Sequence, residues 1–202
     1  ARGVLHRDIK PSNLMLGPAG LTVADFGLGF TLTEENPDSD RMLGTPAYMT
    51  PEQFRCEWSQ FGPWTDLYSL GATAYALATA YPPFGAKLSV EESMESHLLK
   101  PIPALEPRVT VPEGFEAWIQ RLMMKSPRDR FRCAADAAWA LASLAPLEVE
   151  ESLPMSSFDL GTLGFSTVDL AAEESTTLNP SSILSNSTLD PCAQPLSSEI
   201  LS

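Results

Sequence analysis

From Pro146 to Ser202 the chain has no lysine, arginine or histidine. That stretch carries nine of the 26 acidic residues, while all 13 basic residues precede it. The formal net charge of −13 is therefore −9 in residues 146–202 and −4 in residues 1–145. Such a charge balance grips neither phosphate backbone nor anionic lipid, so no nucleic-acid partner is expected. Cysteine is scarce as well. Cys56, Cys133 and Cys192 stand far apart, without a C-x-x-C or a neighbouring histidine pair. This excludes a disulfide framework and a Cys/His zinc site, and it fits a reducing compartment. No apolar run approaches the ~20 residues of a membrane-spanning helix. A cytoplasmic location is expected, with any membrane anchor outside these residues. The sequence opens at Ala1 rather than methionine, and no secretory leader is expected from its first residues. The densest motif begins at His6, so the chain is expected to be a fragment whose upstream part is missing.

What is present divides near residue 145. Leu14-Met15-Leu16 and Leu21-Thr22-Val23-Ala24 flank Gly17-Pro18-Ala19-Gly20, the pattern of a β-hairpin. Residues 31–50 are polar and turn-rich and read as a long loop. Asp66 to Ala80 is apolar nearly all round, as in a helix at the centre of a core, and Tyr81-Pro82-Pro83 stops it. Ser89 and Glu92 form a capping box ahead of Val90, Met94 and Leu98. Glu113–Met124 carries a helical stripe of Phe115, Trp118, Ile119, Leu122 and Met123, and Cys133–Leu144 is an Ala-rich helix ending before Pro146. The expected fold class is α+β, mainly helical with one small hairpin. Residues 146–202 contain 17 Ser or Thr and too little apolar surface to offset ordering entropy, so they read as a disordered acidic tail or linker. Within it, Phe158-Asp159-Leu160 and Val168-Asp169-Leu170 are read first as linker composition and second as a docking element for a partner or further domain.

Four motifs then appear in order. His6-Arg7-Asp8-Ile9-Lys10-Pro11-Ser12-Asn13 matches H-R-D-x-x-x-x-N. Asp25-Phe26-Gly27 follows, then Gly44-Thr45-Pro46-Ala47-Tyr48-Met49-Thr50-Pro51-Glu52, then Asp66-Leu67-Tyr68-Ser69-Leu70-Gly71. Residues 1–145 thereby resemble the C-terminal lobe of a eukaryotic-type Ser/Thr protein kinase, without its N-terminal lobe. Tyr68 in place of tryptophan, with Pro82-Pro83-Phe84, is similar to bacterial members. Thr50 replaces the alanine of A-P-E, which leaves the Pro and Glu intact.

The resemblance implies transfer of the ATP γ-phosphate to Ser or Thr hydroxyls of a protein substrate. That reaction is achieved mainly by positioning and charge neutralisation. It implies that Asp8 orients or deprotonates the acceptor hydroxyl, that Lys10 lies by the transferred phosphate, and that Thr45 bridges the two. Asn13 and Asp25 would supply hard oxygen ligands to Mg²⁺, or Mn²⁺, on the ATP phosphates. His6 is read as a scaffold residue rather than a base. Phe26 and Gly27 belong to the packing between lobes, Asp66 anchors the catalytic loop from below, and Glu52 pairs with Arg130. The alternative for the acids, Asn and Lys taken alone is a solvated turn. Arg121, Lys125, Arg128, Arg130 and Arg132 read as a solvated basic face rather than a binding patch.

Arg7, beside Asp8, is expected to be held by a phosphate on the segment that follows. Thr31, Thr33 and Ser39 are the candidate phosphorylation sites, with Glu34, Glu35, Asp38 and Asp40 as partial substitutes. Without the lobe that brings the Gly-rich loop, the chain alone is expected to be inactive. The competing reading is a pseudokinase that binds nucleotide or protein without catalysis.

Overall fold

The computed structural model describes residues 4–18, 20–26 and 42–144, together with the backbone of residues 30–31 and 176–178. Gly27, Thr33, Ser39 and both hydrophobic clusters of the tail lie outside the described residues. At Thr31 only the backbone is described.

The first turn of structure is the hairpin. Strands β2 (Leu14–Gly17) and β3 (Gly20–Val23) pair antiparallel from Leu14↔Val23 to Gly17↔Gly20. Gly20 has φ +101°, a conformation that side chains rarely adopt. A further bond from Ala24 N–H to Asn13 O, 2.8 Å, extends the pairing past the strands. Asn13 and Asp25 are thereby brought to one end of the hairpin, although they are twelve residues apart. Flanking it, β1 (Val4–Leu5) pairs antiparallel with β4 (Phe30–Thr31).

Residues 31–50, expected as loop, contain more structure. Met42–Gly44 is a strand, β5, followed by a 3-10 turn at Pro46–Tyr48 and a short helix, α1 (Pro51–Phe54). Strand β5 pairs antiparallel with β6 (Thr176–Leu178). A strand whose partner lies over a hundred residues away leaves no local signature. Thr50 caps α1 by a capping box with Gln53.

The helical body is built on α2 (Pro63–Thr79). It begins three residues earlier than the apolar pattern indicates, because Pro63 occupies its first turn and Gly62 N–H bonds the Thr65 hydroxyl at 3.1 Å. It stops at Ala80, φ +68°, where the proline pair follows. Helices α3 (Val90–Leu99), α4 (Phe115–Leu122) and α5 (Ala134–Ala142) complete the body. The main core joins Leu67, Tyr68, Ala72 and Tyr75 of α2 to Trp118, Ile119 and Leu122 of α4, with Met123, Phe131 and Ala137. Leu77 departs from the all-round apolar reading and is half exposed. Gly71 is required by close packing, since a Cβ there would lie 2.8 Å from Leu122 Cβ and from Met123 Cγ. A second cluster packs Met42, Met49 and Phe54 against Val90, Met94 and Leu98 of α3. Among the described residues no helix is long and apolar enough to cross a membrane.

Candidate active site

The loop between β1 and β2 is held in an unfavourable shape by three attachments. Arg7 has φ +66°, a left-handed conformation that costs a non-glycine residue ~1–3 kcal/mol. Asp66 fixes it from below. Its two carboxylate oxygens accept the backbone N–H groups of His6 and Arg7, each at 2.9 Å. Burial raises the Asp66 pKa above the ordinary value, and the two N–H bonds only partly offset that. From the other side Gln53 Nε2 donates to Arg7 O at 2.8 Å and to Leu43 O at 3.1 Å. His6 completes the frame. Its Nε2 donates to Ala24 O at 2.8 Å and its Nδ1 accepts the Asp8 N–H at 3.3 Å. Nε2 thus joins the loop to the segment after β3 while Nδ1 braces the loop itself, so both ring nitrogens are engaged.

This frame presents Asp8, which is buried. Asp8 Oδ1 accepts the Thr45 N–H at 3.0 Å and the Thr45 hydroxyl at 2.7 Å. Lys10 Nζ donates to the same Thr45 Oγ1 at 2.7 Å and lies 3.2 Å from Asp8 Oδ2. Thr45 therefore stands between the acid and the cation, donating to one and accepting from the other. Asn13 Nδ2 donates to Asp8 O at 2.9 Å, with a weaker 3.4 Å contact to Asp8 Oδ2. With its amide nitrogen so committed, Asn13 has its amide oxygen left to offer. Asp25 is exposed and has φ +60°. Next to it Phe26 is 58 % exposed, its ring 4.6 Å from that of His6. Val4, Met15, Leu16 and Leu21 are also exposed around the hairpin.

Glu52 and Arg130 form a second constellation, away from this carboxylate. Arg130 Nη1 and Nη2 donate to the two Glu52 oxygens at 2.8 and 2.9 Å. The remaining guanidinium hydrogens reach the carbonyls of Met124, Lys125 and Trp64. The Thr65 hydroxyl adds a bond to Glu52 Oε1, and the guanidinium carbon lies 4.8 Å from the centre of the Tyr68 ring. Tyr68 in turn donates its hydroxyl to His97 Nδ1 at 2.9 Å, and His97 Nε2 donates to Ala47 O at 3.2 Å. Burial, with the charge of Lys125 nearby, pushes the His97 pKa down to about 3. Lys125 itself is lowered to about 8 by burial and by Arg130.

Motif reading passed over three of these groups. Gln53 ties the loop between β1 and β2 to β5, and its signal was available: Thr50-x-x-Gln53 has capping-box spacing. Thr65 bonds Glu52, and the Thr73 hydroxyl donates to Ile9 O at 3.2 Å. Neither carries a sequence signal, because a helical threonine reads as filler until its neighbours are known.

A family model described as the protein kinase domain matches residues 1–139. The chain belongs to the protein kinase family. It is 34% identical over 145 residues to the serine/threonine-protein kinase PknH of Mycobacterium tuberculosis, covering 69% of this chain and 22% of that protein. It is 33% identical over 157 residues to PknE of the same species, covering 75% and 27%. With PknB of Mycobacterium leprae the identity is 28% over 137 residues, covering 66% and 22%. These relatives are bacterial Ser/Thr protein kinases, and the chain spans about a quarter of their length.

Proposed function

We propose that residues 1–145 are the C-terminal lobe of a Ser/Thr protein kinase and carry its acceptor-side chemistry. One observation carries this reading. The buried Asp8 carboxylate is aimed by the Thr45 N–H and hydroxyl, while Lys10 sits on the same Thr45 oxygen and beside Asp8. Asp8 would hold the acceptor hydroxyl of a protein substrate and take its proton. Lys10 would place a positive charge by the phosphate in transit, where a preorganised cation lowers the barrier without reorganisation. Thr45 keeps the two charges in register, so neither drifts as the proton moves. The donor set at the hairpin end, the Asn13 amide oxygen and the Asp25 carboxylate, is hard oxygen chemistry that suits Mg²⁺ on the ATP phosphates. Bound there, Mg²⁺ would neutralise phosphate charge.

The exposed apolar groups Met15, Leu16, Leu21 and Phe26 form a face that an opposing lobe would cover. On this reading residues 1–202 alone hold half of an ATP site. The test is ATP-dependent phosphorylation of a Ser/Thr-containing protein by the intact protein and by residues 1–202. Activity in the first that is lost on Asp8→Asn, and none in the second, is the expected result. Full activity of the Asp8→Asn protein would remove the assignment.

A further inference from the structure

Four arginines line a groove of about 510 Å³ formed by α4, the 3-10 turn at Pro127–Asp129 and α5. Arg130 is already committed to Glu52 and three carbonyls. Arg121, Arg128 and Arg132 are exposed, and among the described residues none of them forms an ion pair. Arg121 lies over the buried Phe131, its guanidinium carbon 4.2 Å from the ring centre. That contact steadies the side chain and leaves its hydrogen-bond donors unspent. Trp139 of α5 lines the same groove and is 75 % exposed. Tryptophan and arginine are the side chains that most often carry binding energy at interfaces, and arginine clusters are a recurrent means of holding acidic segments. Asp129 and Asp136 also line the groove, so it is not the uniformly positive hole that a small anion prefers. Spaced guanidinia beside an indole suit an extended segment whose carboxylates alternate with an apolar side chain.

The groove is also fastened to the candidate active site. Arg130 pairs with Glu52 of α1, and the next residue, Gln53, donates to the carbonyl of Arg7, the neighbour of Asp8. One short helix therefore fixes the groove relative to the carboxylate. A chain held at the first place is kept at high effective concentration over the second, provided its linker spans the two. We propose that this groove docks an acidic segment of the protein substrate, with carboxylates on Arg121, Arg128 and Arg132 and an apolar side chain against Trp139. The proposal rests on the kinase reading above and adds to it a recognition element outside the motifs that carry the chemistry.

Two measurements on the intact protein decide it. In the first, a fluorescein-labelled peptide of six glutamates, one leucine and one phenylalanine is titrated and followed by anisotropy. Saturable binding is expected, at least about tenfold weaker in Arg128→Glu/Arg132→Glu and at least about threefold weaker in Trp139→Ala. Arg128→Gln/Arg132→Gln, which removes charge without reversing it, is expected to act in the same direction if the reversal unfolds the protein. Affinity equal to wild type in both arginine variants overturns the proposal. Inorganic phosphate that displaces the peptide as well as unlabelled peptide does marks a general anion site and overturns it too. Binding that appears only in Glu148→Gln/Glu150→Gln/Glu151→Gln shows the groove filled by the chain's own acids, which overturns the substrate as occupant. In the second, Mg²⁺-ATP is supplied with a randomised Ser/Thr acceptor library joined by a thirty-residue Gly/Ser linker to either that acidic peptide or a glutamine counterpart. Such a linker has an r.m.s. span of roughly 30 Å. At subsaturating library, phosphorylation at least about fivefold faster with the acidic extension is expected, and the two rates should converge in Arg128→Glu/Arg132→Glu. Equal rates in the wild type overturn the docking role and leave the kinase reading standing. No phosphorylation of either library overturns the kinase reading and the substrate role with it, while anisotropy still reports the groove.

Discussion

Among the described residues two buried ion pairs, Glu52–Arg130 and Asp8–Lys10, are built to opposite ends. Around Glu52 and Arg130 every strong donor and acceptor is consumed: two parallel bonds between the partners, three backbone carbonyls on the guanidinium and a threonine on the carboxylate. Desolvating two charges is recovered only when geometry and satisfaction are this complete. Asp8 and Lys10 share one contact at 3.2 Å, and a threonine stands between them. They sit on a loop that includes the left-handed Arg7, next to the exposed Asp25. One pair is a lock across the helical body. The other meets through Thr45, on the loop that presents the candidate site. Burial alone does not distinguish the two pairs; the way the charges meet does, directly by two parallel bonds in one and through a threonine in the other.

The sharpest way to test that contrast is to damage each pair in the intact protein and read both rate and stability. Asp8→Asn keeps an oxygen for Thr45 and loses the base. Turnover is expected to fall by ~10²–10⁴-fold, the usual scale for a general base, with a melting temperature within a few degrees of wild type by calorimetry. Glu52→Ala does the reverse. It strands a buried guanidinium at a cost of ~3–5 kcal/mol, out of a typical domain stability of ~5–15 kcal/mol. A melting temperature lower by about 10 °C or more is expected; an unchanged one would break the comparison.

Acid offers a third probe. His97, behind the Glu52–Arg130 pair, has a folded pKa of about 3 against an ordinary 6.5, because burial disfavours its charged form. Between those values the unfolded chain binds the extra proton and the folded chain does not. This contribution to stability is therefore complete above pH ~6.5 and declines as pH falls toward 3, by up to ~1.4 kcal/mol per pH unit. Denaturant titration at pH 7 and pH 5 should show the loss, and His97→Gln should flatten the slope. The smallest effect is expected at Gln53, which joins the two regions. Gln53→Ala leaves the Arg7 and Leu43 carbonyls without this donor, at ~1–3 kcal/mol. Turnover should fall along with stability, since Arg7 precedes Asp8; a variant altered in stability alone would show that the two regions are independent.

How much of this could be read in advance depends on the range of each interaction. The hairpin was legible from its glycines and alternating apolar runs, and α3 from the Ser89–Glu92 capping box. Helix α2 was legible in kind, but its start was misplaced by three residues because Pro63 and Thr65 set it, not the apolar pattern. Strand β5 was missed entirely, since its partner comes from Thr176–Leu178 in a segment whose composition announces no structure. Phe26 was expected in inter-lobe packing, and in this chain it touches the His6 ring and is otherwise largely exposed.

The amino-acid sequence by itself determined the local chemistry: which residues can act as acid, cation or hard oxygen donor, where turns and caps fall, and that charge is depleted of cations beyond residue 145. It names those groups because motif spacing and local propensity act over a few residues. Only the tertiary structure decided that Gln53 joins Arg7 to Leu43, that Arg7 takes a left-handed shape, and that β5 pairs with β6. Those outcomes depend on contacts spanning tens of residues or more, whose closure entropy is met by the packing of the whole helical body rather than by any local run.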